Sequence, residues 1–134
     1  MYTKTPNKNI FQEGNALEKR KVESERMLTK YPERVPIICM FDKKVLPAIK
    51  NNRIKEIQKF LAPKEVTLGQ FIAVIRRKLS LNSTESIFVF VEDSGGNGKV
   101  LCPGNSEVGS IYSAQKNKDD SFLYFHVTKE NTFG

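Results

Sequence analysis

The sequence predicts an α+β fold in which one long helix crosses a mixed sheet. In "VTLGQFIAVIRRKL", Leu68, Phe71, Ile72, Ile75 and Leu79 recur at helical spacing behind a Thr67-x-x-Gln70 capping box. Short apolar runs rich in β-branched and aromatic residues, at 35–41, 54–62, 86–92 and 122–127, read as strands. The order helix, strand, strand, helix, strand, strand, short helix, strand is the pattern of a β-grasp, whose long helix packs across one face of the sheet. No internal repeat or linker divides the chain.

Residues 1–15 are polar apart from Ile10 and Phe11, and fit a short helical turn or a mobile arm equally. "ALEKRKVESERMLTKYP" reads as a charged surface helix with a narrow apolar stripe of Leu17, Met27, Leu28 and Tyr31, stopped by Pro32. "VPIICMF" is the first strand and "IKEIQKFLA" the second, joined by a long turn from Asp42 to Lys55 that contains Pro47 and Asn51-Asn52. Val66 and Phe71 then occupy the staple positions either side of the long helix's cap, and Arg76, Arg77 and Lys78 crowd its last turn, where the dipole favours cations. "SIFVFVE" is a strong central strand. "DSGGNGK" is a turn with a hairpin signal at Asn97-Gly98, and "VLC" is its short partner strand. "SEVGSIYSAQ" reads as a short helix capped by Ser106, and "FLYFHV" as the last strand.

With 134 residues, 39% of them hydrophobic and nine of them phenylalanine, the chain fits one domain with a real core. Its formal charge of +7 favours acidic peptides, anionic lipid surfaces or nucleic acid, and suits a merely solvated basic surface equally. Cys39 and Cys102 sit far apart in apolar stretches and read as buried thiols in a reducing compartment. There is no apolar run long enough for a membrane span or a secretory signal, so a cytosolic location is expected.

Catalytic motifs are scarce. His126 could pair with Cys39 or Cys102 as a dyad, but a packed strand histidine and two core thiols are the simpler reading. One histidine and two isolated cysteines do not assemble a zinc site from the usual spacings. "SGGNGKV" brings glycines to Lys99, yet Val100 stands where a phosphate loop needs Ser or Thr, so a turn is the better account. No carboxylate pair stands out for acid–base work. Basic groups at 19–21 and 76–78 could meet phosphates, but the phenylalanines lie in core contexts rather than as stacking platforms, and nucleic acid binding is not expected. A non-enzyme without metal or cofactor is expected.

"EKRKVESERMLTKYPERVPII", "KFLAPKEVTLGQFIAVIRRKL" and the terminal "FG" closely resemble the autophagy ubiquitin-like modifiers, the family of the GABARAP and light-chain-3 proteins. The likeness runs from about Glu18 to Gly134. It implies a ubiquitin-like β-grasp with two additional N-terminal helices. The expected division is a helical extension over 1–31, the β-grasp over 32–128, and a flexible tail over 129–134 ending in the conjugated glycine. The resemblance further implies activation of Gly134 by an E1-like enzyme, transfer to an E2-like enzyme, and conjugation to phosphatidylethanolamine, with a cysteine protease for processing and deconjugation. The conjugate would decorate the autophagosome membrane and recruit receptors. Glycine suits that chemistry, because without a Cβ its acyl carbon is unhindered and the tail can thread a narrow active site. A double-chained lipid, at ~0.8 kcal/mol per buried CH₂, would anchor the domain firmly.

The resemblance also implies capture of an aromatic-x-x-aliphatic motif, which adds as a strand to the exposed second strand. Its aromatic pocket would use Glu23, Met27, Pro36, Ile38, Lys59, Leu61 and Phe122. Its aliphatic pocket would use Phe60, Ala62, Pro63, Val66, Phe71, Val74 and Ile75. Arg34, Lys59 and Lys78 would meet acidic residues flanking the motif. From the residues alone, Phe71 and Ile75 read equally as plain core and Lys59 as a solvated strand lysine. The chain departs from the family in a longer 41–57 segment, an inserted "DSGGNGK" turn, a small Ala62 that should widen the second pocket, and Ser121 where an aromatic is common. The alternatives are a family member serving a non-autophagic organelle membrane, a modifier joined to proteins, and an unconjugated basic scaffold. Family precursors often extend beyond the glycine, and here Gly134 is last, either encoded so or exposed by processing.

Overall fold

Both faces of the strand Arg34–Phe41 are buried, which is why it reads as an unbroken apolar run rather than an alternating one. In the computed structural model, which describes residues 2–3, 9–42, 45, 56–81 and 86–129, this strand is β2. It follows β1 (Tyr2–Thr3), α1 (Ile10–Gly14) and α2 (Leu17–Lys30). After it come β3 (Ile57–Pro63), α3 (Leu68–Leu79), β4 (Phe88–Glu92), β5 (Lys99–Val100), α4 (Val108–Gln115) and β6 (Leu123–Thr128). The six-stranded sheet has the order β1-β5-β4-β6-β2-β3. β2 and β6 run parallel and the other pairs antiparallel, so the sheet is mixed as expected. Two elements differ from expectation. The arm contributes a strand, β1, that no apolar run announced, and "VLC" supplies only Val100 to a two-residue β5.

α3 lies on one face. Its Leu68, Phe71, Ile75 and Leu79 meet Val35, Ile37 and Cys39 of β2, Val89 and Val91 of β4, and Leu123, Phe125 and Val127 of β6. Phe71 stands edge-on to Phe125 at 5.5 Å. The capping box is formed as read. The Gln70 amide donates to Thr67 Oγ1 at 3.2 Å, and the Thr67 amide donates to Gln70 Oε1 at 2.9 Å. Val66 packs on the same cluster as Phe71, and the helix ends on Ser80 in the left-handed region.

Two local expectations are corrected. Ser106 does not cap α4. Glu107 holds the N-cap position without a side-chain bond, and the Val108 and Gly109 amides donate instead to the Val66 and Lys64 carbonyls at 2.8 and 2.9 Å. The β3–α3 turn thus does the work of a cap. It comes so close that a Cβ on Gly109 would lie 2.9 Å from Lys64 Cβ. In the β4–β5 hairpin the left-handed residue is Gly96, at φ 72°, rather than Asn97-Gly98. Asp93 organises that loop, accepting from the Asn97 amide through Oδ1 at 2.9 Å and donating its own amide to Gly98 at 3.0 Å.

α1 and α2 cover the other face. The apolar stripe read along α2 is only half used, since Met27 and Leu28 are partly buried whereas Leu17 and Tyr31 are each 39% exposed. The buried residue of α2 is Ser24, whose hydroxyl donates to the Asp120 carbonyl. Arg20 pairs with the Asp120 carboxylate, which also accepts from the Tyr124 hydroxyl at 2.6 Å and from Gln12 Nε2 at 3.4 Å. Polar contacts with the loop before β6 therefore seat this helix. Beneath them lies a second apolar cluster of Phe11, Ile38, Met40, Phe122 and Tyr124, with Ile10, Met27 and Ile57 at its margin.

Cys39 is buried as expected, whereas Cys102 is only partly so, and both are free thiols. Burial pushes Cys39 far above the ordinary thiol range, and Tyr112 up to about 12. Burial, reinforced by the Asp120 carboxylate, raises Tyr124 further. These folded-state values are all raised, so the folded chain holds protons that the unfolded chain releases. These three groups leave stability unaffected below the ordinary thiol and phenol values and lower it as pH climbs through them. The expected loss is ~1.4 kcal/mol per pH unit for each such group above about pH 9–10. Urea midpoints measured from about pH 8 to about pH 11 check this, and a level midpoint throughout would show these groups to be solvated.

Candidate functional site

β3 is the last strand of the sheet, and among the described residues no strand lies beyond it. The Phe41 amide donates to the Glu56 carbonyl, and the Lys64 amide to the Glu33 carbonyl. These fix the alternation of the β2–β3 ladder, in which Gln58, Phe60 and Ala62 bond inward to Cys39, Ile37 and Val35. Lys59 and Leu61 consequently turn their peptide groups outward, presenting a strand edge of the kind that templates further pairing. Arg34 Nη1 donates to the Leu61 carbonyl at 3.3 Å, so one outward acceptor already has a partner.

The same register sorts the side chains. Leu61 stands opposite Pro36 and Lys59 opposite Ile38, which puts all four on the face covered by α1 and α2. Glu23 and Met27, one turn apart on α2, reach the same place, with Phe122 beneath. Lys59 Nζ meets Glu23 Oε2 at 2.6 Å and lies 5.4 Å from the centre of the Phe11 ring. The seven residues expected in the first pocket are thus brought together, but its floor is shut, for Ile38 and Phe122 have no solvent exposure. Lys59 is tied to α2 rather than simply solvated.

On the opposite face Phe60 stands edge-on to Phe71 at 5.2 Å, and Lys78 Nζ lies 5.0 Å from the Phe60 ring centre. Ala62 is buried beside Val35, Val66 is partly buried, and Pro63 is exposed at the strand's end. Val74 is 40% exposed on the outer side of α3. Phe71 and Ile75 are core, so the accessible part of the second set is Phe60, Pro63, Val66 and Val74. Arg34 is exposed at the same end of the ladder. Gly134, the tail after Lys129 and nearly all of the 42–55 turn lie outside the described residues.

The remaining chemical candidates separate. Cys39 and Cys102 join the α3-side cluster, whereas His126 alternates with Phe125 and Val127 and so faces the other side of the sheet, too far apart for a dyad. His126 Nε2 lies 2.9 Å from Glu92 Oε2 as a packed strand residue. Lys99 is not in the turn but in β5, buried with its ammonium 5.0 Å from the Phe90 ring centre. Burial lowers its pKa, and the Asp42 charge offsets part of that. Among the described residues no His, Cys, Asp or Glu cluster could hold a metal, and no helix is long and apolar enough to cross a membrane. Sequence reasoning missed Phe11 as a member of the first set. Its only signal was the apolar pair Ile10-Phe11 in a polar arm.

A mixed β-grasp sheet crossed by one helix, with two more helices on its other face, defines a ubiquitin-like fold. Residues 19–134 match the family described as "Autophagy protein Atg8 ubiquitin like". Autophagy-related protein 8 of Schizosaccharomyces pombe is 38% identical over 125 residues, covering 92% of this chain and 93% of that one. Autophagy-related protein 8e of Arabidopsis thaliana is 38% identical over 127 residues, with 94% and 93% covered. The crystal structure of Trypanosoma brucei ATG8 superposes with a TM-score of 0.70 at 28% identity, covering 96% of this chain and all of that one. The chain belongs to the Atg8 family of ubiquitin-like autophagy proteins.

Proposed function

We propose that the protein is a modifier joined through the Gly134 carboxyl to phosphatidylethanolamine, and that on the membrane it docks receptors carrying an aromatic-x-x-aliphatic motif. It is the substrate of the E1-like and E2-like enzymes and of a deconjugating protease, not a catalyst. It resides in the cytoplasm until lipidation places it on the autophagosome membrane. In this division of labour 1–31 is a helical extension, 32–128 the ubiquitin-like β-grasp domain and 129–134 the tail ending in the conjugated glycine. The observation that carries the docking reading is the outer edge of β3, where Lys59 and Leu61 turn their peptide groups outward between the two side-chain sets. A peptide strand added there would send alternate side chains to opposite faces of the sheet. Arg34, Lys59 and Lys78 would attract acidic flanks, which speeds encounter and selects partners.

Lys59→Ala combined with Leu61→Ala is expected to weaken binding of such a peptide about tenfold to a hundredfold in calorimetry, as for two contacts at the centre of an interface. Unchanged affinity would mean that the peptide docks elsewhere.

A further inference from the structure

The floor of the first pocket is sealed by part of the chain itself. Phe11 of α1 stands edge-on to Phe122 at 5.5 Å, tilted against Tyr124 at 6.2 Å, and beneath the Lys59 ammonium. An incoming aromatic would find that same environment, a ring on Phe122 beneath the lysine of the edge strand. With Ile38 and Phe122 fully covered, the pocket cannot offer an aromatic side chain the 150–250 Å² such a residue buries unless a covering group withdraws. Met27 and Lys59 are flexible side chains that can swing. Phe11 leaves only if α1 lifts.

α1 is built to be displaced. Five residues make a helix that cannot stand alone, so its presence depends on the contacts that seat it. One of these is Asn9, which does two jobs. Its Oδ1 accepts from the Gln12 amide at 2.9 Å and caps the helix, while its Nδ2 donates to both Glu92 oxygens at 3.2 and 3.4 Å. Glu92 is held in turn against His126. A second seat is Gln12 Nε2 on Asp120, and the third is the Phe11 ring itself. Each is a discrete contact of ordinary strength, giving the small, locally cooperative unit that opens before the rest of a fold.

We infer that α1 is a built-in competitor, with Phe11 occupying the aromatic subsite of the docking edge and the Asn9–Glu92 contact holding it there. This rests on the docking reading proposed above. A peptide binds only the fraction of molecules in which α1 has lifted, so its apparent affinity is reduced by that fraction. Loosening the clasp raises the open fraction and tightens binding.

The test is calorimetric titration of an aromatic-x-x-aliphatic peptide into the full chain and into its Asn9→Ala and Phe11→Leu variants. The wild-type complex is also followed by amide chemical shifts. Affinity is expected to rise about threefold to tenfold in each variant, the fold-change of losing one ordinary contact. The Ile10–Gly14 amides are expected to shift towards disordered values as peptide is added. A purely structural role for α1 predicts the opposite sign, because a damaged wall binds less well. The inference is overturned if the wild type binds with Lys59 and Leu61 dependence while both variants bind equally or more weakly. Binding by Asn9→Ala alone supports it. If no form binds peptide, the docking reading and the inference fall together.

Discussion

Gly134→Ala is expected to abolish the phosphatidylethanolamine-linked form while leaving the fold intact. The last element among the described residues, β6, ends at Thr128, short of this residue. If Gly134 is the conjugated residue as proposed, a methyl group there would add bulk beside the acyl carbon and restrict the backbone of a tail that has to enter an active site. The effect falls on a covalent step, so it should appear as absence of product rather than a modest shift. Incubation with E1-like and E2-like enzymes and phosphatidylethanolamine liposomes, followed by mass spectrometry, reads the result. A phospholipid mass on the wild type and none on the variant is the expected outcome. A lysine isopeptide on the wild type would reassign it to the protein-joined class, and normal lipidation of the alanine variant would remove Gly134 from its central role. β6 runs parallel to β2, so its last residues lie at the Phe41 end of the sheet. The Arg34–Pro63 end, beside the second side-chain set, lies roughly 20 Å away along the strands.

What the sequence revealed and what it hid follow from the range of the contacts involved. The α3 capping box is complete within Thr67–Gln70, and its buried face repeats at helical spacing, so both were legible. The seat of α2 was not, because Ser24 and Arg20 are held by Asp120, about a hundred residues away, and a serine and an arginine add nothing to an apolar stripe. Ser106 looked like a cap from its neighbours alone, but the carbonyls that satisfy α4 come from Lys64 and Val66. The two side-chain sets were implied by the family resemblance rather than by any local pattern, and the β2–β3 register puts Lys59 and Leu61 on one face and Phe60 and Ala62 on the other, as period two requires of a strand. The ambiguity at Phe71 and Ile75 was physical: both residues are core, and the second set is built against core. Phe11 could not be placed from the sequence, since nothing local ties an isolated aromatic in a polar arm to Phe122.

Asp120→Ala is expected to be the most destabilising single change among the polar residues described here. The Asp120 side chain has no exposure, and that of Arg20 has 12%. Oδ2 accepts from Arg20, Tyr124 and Gln12, and Oδ1 accepts from the Phe122 amide at 3.0 Å. Burial alone would lower the Arg20 pKa, yet its bonds to Asp120 and Tyr124 raise it, which marks a guanidinium stabilised more by its partners than it is penalised by leaving water. Alanine removes the common acceptor and leaves a mostly buried cation, a phenol and an amide without it. Breaking a buried pair in this way costs about 3–5 kcal/mol, a large share of the 5–15 kcal/mol that a domain commands. Arg20→Met combined with Asp120→Leu should recover only the share of that loss owed to the unpaired cation, because the Tyr124 hydroxyl and the Phe122 amide still lack their acceptor. Urea unfolding of the single and double variants measures both, and a loss below ~1 kcal/mol for Asp120→Ala would mean that water reaches the network. The same carboxylate holds α2 through Arg20, α1 through Gln12 and the first pocket through Phe122 and Tyr124. Asp120→Ala should therefore loosen α1 as Asn9→Ala does. Unlike Asn9→Ala, it should also weaken peptide binding, because it disorders the floor on which both Phe11 and an incoming aromatic would sit.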